Sequence, residues 1–299
     1  MTGGSWRAVA AGLALVLPAA SVAQTVGVAA AVRNRVEIRS VRGAPPRPVA
    51  VRAPIAMANE VHTGALSQLQ IVLLDRSALT IGAHARVTID RYLYDPAPNR
   101  RTMRVTVARG AFRFLSGRRM GAGSSSVVTT PVAALGIRGT IVEGVVGPRA
   151  VAIMADEAVG RGVRSDPARA TLIVLRGPGP LHEGDAPAGM VDLTAGGVTV
   201  TLDRPMTALY VPGPGMAPIG PFTLSGAGLL RVQGELLPPP LEAGAEGGVA
   251  ESGGDAGAGE AGRGRRGGGW WILGALAGGV AGVVSLGSGG GGSQPAVSP

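Results

Sequence analysis

The sequence predicts an all-β body of short strands followed by a low-complexity tail. Three observations carry that expectation. Aliphatic residues alternate with polar ones at a period of two in successive short runs. Clusters of Gly, Pro, Asp and Ser separate those runs every few residues. Aromatic residues make up only 3% of the chain against 45% hydrophobic residues, so the core has to be built from Val, Ile, Leu and Ala. Glycine is concentrated after Leu236, where 21 of the 50 glycines lie. The body can therefore be globular, whereas the tail has little to bury.

Taken in order, residues 1–23 read as a secretory signal. Arg7 supplies the positive start, Ala8 to Leu17 is a short apolar run ended by Pro18, and Ser21-Val22-Ala23 places small residues before a cleavage point at Gln24. The run is too short for a spanning helix, which takes ~20 residues. An uncleaved anchor is the alternative. Residues 24–147 carry the clearest strand pattern. Leu69, Ile71 and Leu73 alternate with Gln68, Gln70 and Val72; Val87 and Ile89 with Arg86, Thr88 and Asp90; Met103, Val105 and Val107 with Arg104 and Thr106. Turns are expected at Gly64, Asp75-Arg76-Ser77, Gly82, Pro96 to Asn99, Gly110, Gly117 and Gly121 to Ser126. Such spacing suits a short-stranded sandwich, a roll or a short solenoid-like domain.

Residues 148–236 form a second β-rich portion, with strands expected at Thr171–Leu175, Met190–Leu193, Val198–Leu202, Ala208–Val211 and Leu229–Gln233. No stretch of the body shows a strong helical period, and whether this portion closes the same sheet or forms its own layer stays open. Residues 237–269 read as a disordered Gly/Pro-rich linker. Residues 270–286 are an apolar segment, expected to be helical, with Gly274, Gly278 and Gly282 at four-residue spacing, and residues 287–299 a disordered tail. The three glycines would lie on one helix face and allow self-association or membrane association. The arginines Arg263, Arg265 and Arg266 before it oppose simple insertion from outside, so a sorting signal or a self-association tail is the alternative.

The net charge of +9 comes with arginines spread along the chain, which argues against a nucleic-acid partner and leaves anionic envelope polymers or lipid head groups. Cysteine is absent, which excludes disulfides, thiol nucleophiles and Cys-ligated metals. His62, His84 and His182 are the only histidines. Nothing in the spacing brings His62 and His84 to Asp75 or Ser77 as a nucleophile–base set, and there is no Gly-X-Ser-X-Gly elbow. Asp156-Glu157 and His182-Glu183-Gly184-Asp185 match neither a calcium loop nor a zinc pattern and read as loose, solvated acidic clusters. No cofactor or metal is expected.

Four ordered motifs resemble the FecR domain. They are Asn59 to Gly64 followed by Ser67 to Gly82; Val87 to Pro96; Arg109-Gly110-Ala111-Phe112-Arg113-Phe114; and Thr129-Thr130-Pro131 with Arg138-Gly139-Thr140. The set spans about Thr25 to Val146. Arg76 is the main departure, since the family usually has Gly, Asn or Gln in that turn. The resemblance implies an all-β periplasmic domain with Gly64, Asp75, Ser77, Gly82, Gly110, Thr130, Pro131, Arg138, Gly139 and Thr140 as its motif positions. In the name-giving transmembrane regulators, the domain receives a signal from an outer-membrane receptor, and a cytoplasmic segment passes it to an extracytoplasmic-function sigma factor. Only seven residues precede the apolar run here, so a stand-alone, exported domain without that segment is expected.

Two roles follow for these motif residues. The Arg138 guanidinium is expected to donate to carbonyls that a sharp turn leaves unpaired, with Gly139 supplying the unusual backbone angle and Thr140 resuming the strand. Asp75 and Ser77 are expected in a plain β-turn, with an exposed partner-binding edge as the alternative. Together these readings describe a non-enzymatic envelope protein of a Gram-negative bacterium, periplasmic or at the cell surface. Its domain would bind an envelope protein, glycan or lipid, with strand addition at an open sheet edge as the mechanism. The alternative is an accessory periplasmic regulator of iron-uptake or envelope-stress signalling.

Overall fold

The computed structural model describes residues 24–40, 45–97, 99–117, 121–178 and 189–237. The signal segment, the linker and the apolar segment with Gly274, Gly278 and Gly282 lie outside the described residues, as do His182, Glu183 and Asp185. The elements in chain order are β1 (Thr25–Arg33), β2 (Val36–Ser40), β3 (Arg47–Pro48), β4 (Pro54–Ala56), β5 (Asn59–Thr63), β6 (Gln68–Leu73), β7 (Ala78–Ile81), β8 (Arg86–Asp95) and β9 (Arg100–Leu115). Then follow β10 (Ser125–Thr129), β11 (Ala134–Arg138), β12 (Thr140–Val146), α1 (Pro148–Ala155), β13 (Thr171–Pro178), β14 (Met190–Ala195), β15 (Val198–Leu202), β16 (Thr207–Val211), β17 (Ile219–Thr223) and α2 (Gly226–Leu236).

The strands make two layers that share β9. The first runs β4-β1-β6-β7-β9-β12-β13-β16-β17 and is antiparallel throughout. The second runs β3-β2-β5-β8-β9-β10-β11-β14-β15, antiparallel except for the parallel β9–β10 pair. Both β-rich portions of the sequence contribute to both layers. β9 is long, 16 residues, because it passes from one layer to the other at Gly110. A turn is expected there, and what forms is a bend inside one strand. Gly110 sits at φ +89°, and a Cβ on it would lie 2.4 Å from the Cα of Ala85, so the close crossing needs glycine.

The alternating residues meet between the layers. Val26, Ile71, Leu79 and Phe112 from the first pack with Val61, Ile89, Val105, Leu135 and Leu193 from the second, all buried. Each such side chain contributes roughly 1.5–3 kcal/mol by leaving water. A second cluster lies on the outer face of the first layer. There Ala111, Val145, Leu172, Val174 and Tyr210 are covered by Ile153 and Met154 of α1 and by Val232 and Leu236 of α2.

These helices correct the strand expected at Leu229–Gln233, which lies inside α2. Ser225 caps α2, its hydroxyl accepting from Gly228 N at 3.0 Å. Leu229, Val232 and Leu236 then recur at i, i+3 and i+7 on the face that packs against the sheet, while Leu230 points outward, 69% exposed. Pro148 opens α1 at its first position, where a missing N–H costs nothing. Among the described residues, no helix is long and apolar enough to cross a membrane.

Candidate functional site

The turn between β6 and β7 is built on Asp75. Arg76 N donates to Leu73 O at 2.9 Å, and Leu73 N donates to Ser77 O at 2.9 Å, closing the hairpin. Arg76 takes φ +66°, the left-handed region. This accounts for the small or amide residue expected at that position and makes Arg76 a strained substitute.

Asp75 and Ser77 lie in the turn expected for them and are buried, which counts against the alternative of an exposed partner-binding edge. Asp75 Oδ1 accepts from Ser77 N at 3.2 Å, Ser77 Oγ at 2.6 Å and the Tyr92 hydroxyl at 2.9 Å. Asp75 N in turn donates to Tyr92 Oη at 3.0 Å. Oδ2 pairs with Nη1 of Arg101, whose Nη2 donates to Ser126 Oγ at 2.5 Å. The guanidinium lies 5.3 Å from the centroid of the Phe114 ring. Burial, then the nearby Asp75 charge, pushes the Tyr92 hydroxyl well above its ordinary pKa, so it stays a neutral donor. Both Asp75 carboxylate oxygens are thus bonded within the fold, and its side chain is 0% exposed.

A cleft of about 300 Å³ opens over this node, lined by Leu74, Asp75, Arg76, Tyr94, Pro96 and Asn99. Leu74 is 53% exposed and Arg76 is exposed.

The other motif positions serve the scaffold. Gly64 N donates to Arg35 O at 2.9 Å. Gly82 ends the strand-turn motif where α2 arrives: a Cβ there would lie 2.1 Å from Glu235 O. Thr130 Oγ1 accepts from Ala133 N at 3.1 Å and from the Thr171 hydroxyl at 3.2 Å, forming a side-chain turn in which Pro131 is exposed. Gly139 has φ +60°, as its place in the turn requires. Buried Thr140 donates its hydroxyl to Gly177 O at 2.5 Å, tying β12 to β13. Arg138 is a correction. Its side chain is 71% exposed and pairs at 3.1 Å with Asp192 on β14, so it bridges two strands at the surface and does not serve buried carbonyls.

His62 Nε2 contacts Glu60 on its own strand, and His84 occupies a turn at φ +52°. Asp75 instead bonds with Ser77, Tyr92 and Arg101, a network built without either histidine. Asp156-Glu157 is also corrected, from solvated acidic pair to helix tie. Buried Glu157 accepts from Ser225 Oγ at 2.6 Å and Ser225 N at 3.2 Å, and Asp156 pairs with Arg231.

Sequence reasoning missed Tyr92, Arg101 and Ser126, as well as Glu143, a buried carboxylate paired with Arg113 at 2.6 Å and Arg176 at 3.6 Å. A signal for Arg101 was present. Extending the period of Met103, Val105 and Val107 back by two places puts Arg101 on the core face.

The FecR family model, described as FecR protein, matches residues 59–177, from the start of β5 into β13. The match reaches past Val146, consistent with the bond from Thr140 to Gly177. No curated protein matches the chain. Two crystal structures of a candidate anti-sigma factor from Parabacteroides distasonis ATCC 8503, at 1.65 Å and 2.50 Å, are similar to it. Each is 14% identical with a TM-score of 0.36, covering 55% of this chain and 60% of that one, short of two thirds of its length. The family match supports a signalling or regulatory role. The strand-turn, Gly-aromatic and Thr-Pro…Arg-Gly-Thr motifs lie inside the matched span, so the chain carries a FecR domain at residues 59–177.

Proposed function

We propose that the chain is a non-enzymatic protein exported to the envelope of a Gram-negative bacterium, and that its FecR domain is a binding module. The observation that carries this is the Leu74-Asp75-Arg76 turn. Its centre is pinned by the buried Asp75–Tyr92–Arg101 node, while Leu74 and Arg76 stand outward beside the cleft. A turn held this way loses little conformational freedom on binding, which favours recognition. An apolar side chain beside a cation suits an envelope-protein segment that carries apolar and acidic side chains. Export is supported by Arg7, the apolar run Ala8 to Leu17 and the small residues before Gln24.

The test is capture of an envelope protein by the full chain carrying a photo-crosslinker at Arg76. Leu74→Glu in that background is expected to abolish capture. Capture that survives Leu74→Glu, or that recovers no envelope protein, overturns the reading.

A second reading is favoured by the FecR match itself: an accessory regulator acting on extracytoplasmic sigma-factor signalling. Deleting the chain is then expected to shift transcription of an iron-uptake or envelope-stress regulon. Unchanged transcript levels in every such regulon remove it.

A further inference from the structure

The outer margins of the two layers are unequally protected. β3 contains Pro48, β4 begins with Pro54, and β17 contains Pro221. Proline lacks the N–H that an incoming strand would use, so each of these margins is blunted. β15 is different. Its sequence, Val198-Thr199-Val200-Thr201-Leu202, has neither proline nor charge, and four of its five residues are β-branched. Among the described residues it pairs only with β14.

Its two faces differ. Thr199 and Thr201 lie on the outer face, where their hydroxyls reach Thr194 at 2.8 Å and Asp192 at 2.7 Å. Val198, Val200 and Leu202 lie opposite Ala195, Leu193 and Val191 on the core side. Leu202 is buried, Val200 is half-buried, and Val198 is 44% exposed. Among the described residues, the margin therefore leaves open both a row of backbone hydrogen-bonding groups and part of an apolar face.

We propose that β15 pairs antiparallel with β15 of a second copy of this chain, about a two-fold axis through Val200. The argument for a second copy is that the strand is complementary to itself. In that register Val198 faces Leu202, Thr199 faces Thr201 and Val200 faces Val200. Aliphatic residues then meet aliphatic residues on one face and threonines meet threonines on the other, both favourable cross-strand pairs. The charges flanking the strand do not oppose themselves: Asp203 falls opposite Gly197, and Arg204 opposite Gly196. A two-fold contact places one patch against its own copy, so a charge-free centre flanked by glycines is what it requires. The second layer would continue across the axis, and the paired Leu202 would cover Val198.

The experiment is sedimentation equilibrium of the full chain with three variants. The native chain is expected to associate as a dimer. Thr199→Lys with Thr201→Lys opposes lysine to lysine twice across the axis and raises the dissociation constant roughly tenfold. Thr199→Lys with Thr201→Glu opposes lysine to glutamate and restores the dimer. Since the chain has no cysteine, Thr199→Cys with Thr201→Cys is an independent readout, and oxidation is expected to yield a covalent dimer. A native chain that stays monomeric, a dimer indifferent to the two lysines, or a cysteine pair that gives no covalent dimer overturns the proposal.

Discussion

Asp75 and Arg101, 26 positions apart, close an ion pair in which the two side chains are 0% and 4% exposed. The pair joins the β6–β7 turn to the start of β9 and, through Ser126, to β10. Tyr92 adds β8. One carboxylate thus ties the β6–β7 turn to three further strands, and the family's turn motif is legible as the address of that carboxylate.

Removing one partner leaves the other charged and buried. Asp75→Ala or Arg101→Ala is expected to cost about 3–5 kcal/mol in unfolding free energy. Tyr92→Phe leaves Asp75 N without its acceptor and is expected to cost about 1–3 kcal/mol. Guanidinium unfolding followed by circular dichroism measures all three. An Asp75→Ala midpoint equal to that of the native chain would show that the pair is not a structural tie.

Alkaline pH tests the same node by another route. Burial raises the hydroxyl pKa of Tyr92, and that of Tyr210 likewise. The folded chain therefore holds these protons after the unfolded chain begins to lose them, near pH 10. Stability is full below that value and falls as pH rises through it, because the unfolded state then binds fewer protons. Thermal melts between pH 8 and 11 are expected to show this decline, and Tyr92→Phe is expected to flatten it.

The Thr-Pro…Arg-Gly-Thr motif divides between surface and core. Arg138 is largely exposed, so Arg138→Ala is expected to change stability by less than about 0.5 kcal/mol. Thr140→Val strands the Gly177 carbonyl and is expected to cost about 1–3 kcal/mol. Urea midpoints of the two variants decide the matter: a larger loss in Arg138→Ala would restore the buried role first expected for it.

Much of the body was legible because period two is a local signal. Leu69, Ile71, Val87, Ile89 and Val105 all face the core where alternation puts them. Asp75 and Ser77 were placed in the right turn, but their burial was not legible there. Their burial depends on Tyr92 and Arg101, which lie 17 and 26 positions away and carry no signal in the turn itself. Helix α2 was hidden for a local reason. Gly226, Gly228 and Gly234 dilute its helical propensity, and Leu229, Leu230 and Val232 mimic a strand in a short window. Arg138 was misread because its partner, Asp192, comes from a strand 54 positions on.

The seat of α2 gives the last test. Gly82 lies where a Cβ would meet Glu235 O at 2.1 Å, and Ala83 N donates to that same carbonyl at 3.2 Å. A side chain at Gly82 cannot coexist with α2 in place, because the obstacle is backbone on both sides. Gly82→Ala is therefore expected to displace the C-terminal turn of α2, uncovering Leu236 and part of the apolar face around Ala111. Leu236→Ala removes the same packing without the clash, at about 2–5 kcal/mol. Hydrogen exchange separates the two outcomes. In Gly82→Ala the amides of Gly226–Leu236 are expected to lose protection while those of β6 and β7 keep theirs. Retained protection in α2 would mean that the helix does not depend on the glycine the family motif supplies.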